Sequence, residues 1–172
     1  MPSNSLARAA TARIQVLAPA GELDFLDTQS LVLPVPVTPL EAWNIIHKQP
    51  LPGLKLAFWL RDAMSALFGV KRVGGFSGQQ RADVKTGDML DFFLVEAASD
   101  QLLTLTARDR HLDVMTCVCC NSGVLSLTTS VVTHTLFGRI YMLPVRPAHK
   151  LIVSQSLKRL QKELEQRRAA GR

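Results

Sequence analysis

No apolar run in this 172-residue chain approaches the ~20 residues that a membrane-crossing helix needs. Residues 30–37 come nearest, and Pro34 and Pro36 break them, so no integral membrane segment is expected. Cysteine is scarce. Cys117, Cys119 and Cys120 crowd one short stretch, where close neighbours in extended backbone cannot readily pair with each other. That excludes a disulfide framework and makes a reducing cytoplasm the expected location. No G-x-G-x-x-G follows any strand-like run and no glycine loop ends in Lys-Ser or Lys-Thr, which leaves no phosphate cradle and no expected cofactor. Internal repeats and low-complexity segments are absent as well.

Acidic residues are missing from one region in particular. Residues 1–21 hold Arg8 and Arg13 and no Asp or Glu. The two arginines interrupt the continuous apolar segment a secretory signal requires, so these residues read as a flexible basic arm rather than a leader. Residues 158–172 carry six cations against Glu163 and Glu165. Together the two ends account for the whole formal charge of +6, and residues 22–157 are balanced. A nucleic-acid-binding domain wears its basic patch on the fold, so nucleic acid is not an expected partner.

What is present is a folded chain: hydrophobic residues make up 47% and charged residues 20%, enough to bury a core in one domain over residues 22–166, with a basic tail at 167–172. A first strand is expected over residues 25–35. Thr38, Pro39 and Glu41 then form the start of a helix, with Thr38 as N-cap, Pro39 at the first helical position and Glu41 closing a capping box. Leu40, Trp43 and Ile46 give its buried face. After the Pro50–Gly53 break, a second helix is expected over residues 55–68, carrying Phe58 and Trp59 and ending at Gly69. Residues 70–88 form a glycine-rich connection.

From residue 89 the pattern changes to strands. Residues 89–96, 101–107, 111–121, 124–137 and 139–145 are rich in Val, Leu, Thr and aromatics, with short turns between them, which predicts an antiparallel meander. In the 124–137 run, Leu125, Leu127, Thr129, Val131 and Thr133 share one parity and are the expected inner wall. The chain closes with a long basic helix expected to begin near Pro147. Val153, Leu157, Leu160 and Leu164 fall on one face of it.

The resulting fold class is α+β: a curved antiparallel sheet, two short helices after the first strand, and a long C-terminal helix packed across the sheet. This order resembles the helix-grip fold of the Bet v allergen, START lipid-transfer and polyketide-cyclase superfamily. The segment Arg108-Asp-Arg-His-Leu-Asp113 and the run His134-Thr-Leu-Phe-Gly-Arg139, with Tyr141, Pro144, Pro147 and His149, resemble more narrowly a bacterial family known only as domain-of-unknown-function family 2867. The resemblance spans roughly residues 30–165 and implies a ligand-holding fold without naming a chemistry.

Candidate chemistry is sparse. Cys117 and Cys120 have C-x-x-C spacing but fall on opposite faces of a strand, with no second ligand pair for zinc, so packing is the expected role and no metal site is assigned. Gly74-Gly-Phe-Ser-Gly78 misses the nucleophile-elbow spacing. His134 shares a parity with Ser126 and Ser130 and is expected to face solvent. Asp113 and His149 are the candidate acid–base residues. Arg139 and Tyr141, pointing the same way from the last strand, are candidates for holding a polar head group, with Val153, Leu157, Phe58 and Trp59 as apolar lining. The first reading is therefore a small-molecule binding protein, rather than an enzyme, holding an apolar or amphipathic ligand between sheet and helix. A cyclase- or hydratase-type enzyme using polar residues of the same space is the second. An interaction module docking through the basic end of the helix is the third.

Overall fold

The computed structural model, which describes residues 13–48 and 76–171, has six strands, the single one expected over residues 89–96 being divided in two by a turn at Asp91, which has positive φ. They are β1 (Phe25–Val32), β2 (Met89–Leu90), β3 (Phe93–Ala98), β4 (Leu102–Arg108), β5 (Leu112–Asn121) and β6 (Val124–Thr133). All pair antiparallel in one curved sheet of order β1-β6-β5-β4-β3-β2. The last five strands are a meander, and β1 returns to the far edge by pairing with β6, from Phe25 opposite Val131 to Val32 opposite Val124. The β5–β6 hairpin turns on Ser122 and Gly123, both at positive φ. That is the two-residue geometry whose twist matches the flanking strands.

Two helices accompany the sheet. Helix α1 (Pro39–His47) starts as its sequence requires: the Thr38 hydroxyl accepts the Glu41 N–H, and Pro39 occupies the first turn where its missing donor costs nothing. Helix α2 (Leu136–Ala170) is capped in the same way, the Thr135 hydroxyl accepting the Gly138 N–H. The expected second helix at residues 55–68 lies outside the described residues.

The start of α2 corrects two expectations. Residues 139–145 are helical rather than a strand, and the helix begins at Leu136 rather than near Pro147. The cause lies in the neighbouring strand. β5 begins at Leu112, whose partner is Thr133, so β6 has no strand to pair with beyond that point. One further bond, from His134 N–H to the His111 carbonyl, ends the ladder, and Thr135 turns the chain into the helix. Pro144 and Pro147 sit inside α2. Each removes the N–H that would bond the carbonyl four residues earlier. Those carbonyls belong to Ile140 and Leu143, both exposed, so water can satisfy them.

The two sheet faces bury different chemistry. Leu125, Leu127, Thr129, Val131 and Thr133 do face inward with Val118, Cys120, Leu103, Leu105 and Val95. Val153, Leu157, Leu160 and Leu164 of α2 and Trp43, Ile45 and Ile46 of α1 pack on the β6-to-β3 part of that face. Arg167 near the end of α2 pairs with Glu41 of α1. The opposite face is lined by Ser, Thr and Cys, and the segment from residue 13 to 17 lies on it. Gln15 N–H donates to Cys117 Sγ (3.3 Å), Thr104 donates to the Gln15 side chain (2.9 Å), and Leu17 N–H donates to Ser130 Oγ (3.1 Å). These bonds satisfy Thr104, Cys117 and Ser130, which are buried on this face, and the Thr128 hydroxyl pairs with that of Thr28 on β1.

Candidate ligand-binding site

Helix α2 runs beside β1, and the surface beneath it is not uniformly apolar. Phe25, Val131 and Met142 form one buried cluster, joined by Leu112, Tyr141 and Val145. The larger core around Leu125, Leu127, Val153 and Leu157 is a second one. Between them the register sets a polar row across three strands: Asp27 of β1 opposite Thr129 of β6, and Thr129 opposite Thr116 of β5. Thr116 and Thr129 are buried, with their hydroxyls 3.4 Å apart. Only one proton can lie between them, so the pair keeps a hydroxyl hydrogen to give elsewhere.

His149 of α2 stands at the β1 end of this row, near Asp27. Its ring meets the edge of Phe25 at a centroid distance of 5.5 Å. Its Nε2 is buried and has no hydrogen-bond partner among the described residues. Burial pushes its pKa below the ordinary histidine value, against the opposing pull of the Asp27 carboxylate. Gln29 fixes the helix over the row: its amide donates to Asp27 Oδ2 (2.9 Å) and to the Lys150 carbonyl (3.1 Å). The arrangement presents an uncharged ring nitrogen, a hydroxyl pair and one carboxylate between two apolar surfaces. It can orient a polar group whose attached apolar parts lie to either side.

The candidate residues named from the sequence divide by face. His149, Val153 and Leu157 lie on the sheet side of α2, the two aliphatic residues inside the core. His149 stands well along the helix rather than in its first turn, because the helix starts earlier than expected. Tyr141 packs against the Phe25 cluster and stacks on Phe137. Arg139, a helical residue and not a strand one, is exposed beside Asp24, whose carboxyl is held below the usual range chiefly by two hydrogen bonds from Thr133. Phe58 and Trp59 lie outside the described residues. Asp113 is on the other side of the sheet altogether. It faces outward opposite Val132 and meets Arg108 (3.5 Å) and His134 (3.3 Å) in a surface ion network with Glu96. The structure therefore does not bring Asp113 and His149 together. Asp27, Gln29 and Thr116 were not singled out from the sequence, although Asp27 and Gln29 interrupt the inward parity of β1 between Phe25 and Leu31.

The three cysteines are buried, with Cys117 facing outward and Cys120 in the inner core. Among the described residues no group of three or more His, Cys, Asp or Glu is placed to hold a metal ion.

The two sequence motifs meet at the start of α2. Asp109 Oδ1 accepts the N–H groups of His111 (2.7 Å) and Leu112 (2.9 Å), closing the β4–β5 corner. Arg110 Nε donates to His111 Nε2 (2.9 Å), which makes that nitrogen the acceptor. The proton therefore sits on Nδ1 and points at the Thr135 hydroxyl 2.9 Å away, the same oxygen that caps α2. Phe137 lies edge-on to the His111 ring. This corner sets where the helix begins and so where His149 falls along the sheet.

Sheet, capped helix and polar row together describe an α+β protein whose long C-terminal helix covers an antiparallel sheet. Residues 19–156 match the family described as "Protein of unknown function (DUF2867)", and the chain belongs to that family. Among solved structures, a hypothetical protein from Helicobacter pylori is similar at a TM-score of 0.41 and 16% identity, over 90% of this chain and 99% of that one. No curated protein matches the chain.

Proposed function

We propose that the protein binds a small amphipathic molecule between the sheet and α2, in the manner of helix-grip proteins. One observation carries the reading: the buried Nε2 of His149, without a hydrogen-bond partner among the described residues, stands near Asp27 at the β1 end of the Asp27–Thr129–Thr116 row, and an apolar cluster flanks the row on each side. An orphaned buried polar atom costs about 1–3 kcal/mol, a cost that a ligand hydrogen bond removes. Kinship with the helix-grip superfamily is part of this proposal, supported by the long helix laid over an antiparallel sheet.

The polar row also selects the head group. The Asp27 carboxylate repels an anion, whereas a hydroxyl or carbonyl can bond a neutral imidazole and a threonine hydroxyl. The ligand is thus an apolar molecule with an uncharged oxygen function. Each buried methylene contributes about 0.8 kcal/mol, so ten of them offset a typical association cost of several kcal/mol. A catalytic reading has less support, since its second acid–base candidate, Asp113, faces away.

Native mass spectrometry of freshly purified protein should reveal a co-purified small molecule. A thermal-shift panel of long-chain alcohols, isoprenoids, polyketides and fatty acids should raise the melting temperature with the uncharged members and not with the acids. No bound mass and no stabilisation by any compound would overturn the reading.

A further inference from the structure

Helix α2 has a second apolar face, turned away from the sheet. Leu136, Ile140, Leu143 and Leu151 are 72%, 55%, 64% and 59% exposed, and Pro147 is exposed among them. At 100° per residue these five lie within an arc of about 80°, a stripe roughly 22 Å long. Arg139 and Lys150, both exposed, fall along one border of the stripe, and Lys158, also exposed, stands within the stripe's own arc beyond Leu151. Between residues 136 and 162 the sequence holds six Lys and Arg and not one Asp or Glu. The acids of α2 itself, Glu163 and Glu165, stand in its last turns beyond the stripe; Asp24, just before β1, lies near Arg139, and Asp27 of β1 lies under the helix.

We propose that this stripe docks the protein on the surface of an anionic lipid bilayer. It has the make-up of an interfacial helix: a narrow row of Leu and Ile with cations at its edge and no carboxylate of the helix's own between residues 136 and 162 to repel a phosphate surface. The surface is a projecting helical ridge, which suits a soft, continuous lipid interface. Among the described residues no helix is long and apolar enough to cross a membrane, so the contact is peripheral. This inference goes beyond ligand binding and does not depend on it, because the stripe and the His149 row lie on different sides of α2.

Sedimentation with vesicles tests it without any ligand. The full chain should pellet with vesicles of phosphatidylcholine mixed with phosphatidylserine, and not with phosphatidylcholine alone. Raising the salt should release it. Leu143→Asp should weaken partitioning at least tenfold with an unchanged melting temperature, since Leu143 is exposed. Lys150→Glu should do the same, and stands as the control should Leu143→Asp fail to fold. Three results would overturn the proposal: no pelleting with anionic vesicles, pelleting unaffected by both substitutions, or a dimer in solution that Leu143→Asp dissolves, which would mean a second copy covers the stripe.

Discussion

Gly138 and the carbonyl oxygen of His111 share a space with no room for a side chain. A Cβ built on Gly138 would be driven into that oxygen, which is backbone and cannot swing aside. Gly138 also supplies the N–H that the Thr135 cap accepts. In an open helix, Gly→Ala gains up to about 1 kcal/mol. At this site the clash should reverse the sign, and Gly138→Ala should lose about 1–3 kcal/mol, the usual cost of overpacking. Urea denaturation measures it. An unchanged or higher midpoint would mean the start of α2 can ride away from the corner freely.

The His111–Thr135 contact should show energetic coupling. Thr135→Ala removes an N-cap, worth about 1 kcal/mol. His111→Ala removes the ring N–H from the Thr135 hydroxyl and the acceptor from Arg110 Nε. Because one oxygen serves both the cap and the ring, the double variant should lose less than the two singles combined, by about 0.5–3 kcal/mol in a mutant cycle. Simple additivity would show that the corner and the cap act separately.

Much of the sheet and of α1 was legible in the residues, and the start of α2 was not. Strand parity placed Leu125, Leu127 and Val131 inward because period 2 leaves a buried strand no alternative. Thr38, Pro39 and Glu41 announced α1 because capping chemistry is local. Thr135 is an equally good cap, yet Phe137, Ile140, Tyr141 and Val145 have strand propensity and Pro144 reads as a breaker, so local preference pointed the wrong way. The end of β5 at Leu112 decides the matter, and that is a tertiary fact. The polar row was hidden for the same reason. Asp27, Thr129 and Thr116 align only through the pairing of β1 with β6, strands about a hundred residues apart.

Acid should destabilise the fold through His47. Its ring lies between Trp43 and Phe76, at centroid distances of 4.0 and 4.1 Å, and its Nδ1 meets the Trp43 carbonyl. Burial, only partly opposed by that carbonyl and by Asp91, lowers its pKa to about 4 from 6.5. The unfolded chain therefore takes up a proton in this window while the folded one does not. Stability is full above 6.5 and falls as the pH drops to about 4, by up to roughly 3 kcal/mol. His149 is shifted in the same direction and adds to the slope. Asp24, lowered by its Thr133 bonds, contributes stability that is lost only further down, below the ordinary carboxylate value. His47→Phe should flatten most of the upper window in pH-dependent urea titrations. A slope identical to that of the unsubstituted protein would rule out His47 as its source.

The thiols should be inert in the folded chain. Burial raises all three, and Cys120 is pushed up to about 11 with a further contribution from the neighbouring Cys119. Since the thiolate is the reactive form, iodoacetamide at neutral pH should modify them far more slowly than free cysteine. Urea should restore full labelling of all three. Rapid labelling of the folded protein at Cys117 would show that the segment at residues 13–17 leaves the outer face readily.

His149→Phe separates a ligand-binding role for this residue from a merely structural one. Removing one partner of a satisfied hydrogen bond destabilises, but replacing an orphaned buried nitrogen by a ring of similar shape removes a desolvation cost and is neutral or stabilising. The Phe25 edge contact survives, because a phenyl ring can meet Phe25 in the same T-shaped way. The free protein should therefore keep or raise its melting temperature, by the equivalent of up to about 1–2 kcal/mol. Ligand affinity should move the other way, falling at least tenfold for uncharged polar-headed compounds, because a hydrogen bond between neutral groups in a dry site contributes about 0.5–1.5 kcal/mol and the now-unpaired ligand oxygen adds its own desolvation cost. Asp27→Asn makes the complementary test. It keeps an acceptor for the Gln29 amide while removing the charge, so it should admit fatty acids that the unsubstituted protein rejects. A destabilised His149→Phe protein that binds every compound as before would make the histidine a packing residue, and head-group selection would then have to come from elsewhere on the sheet.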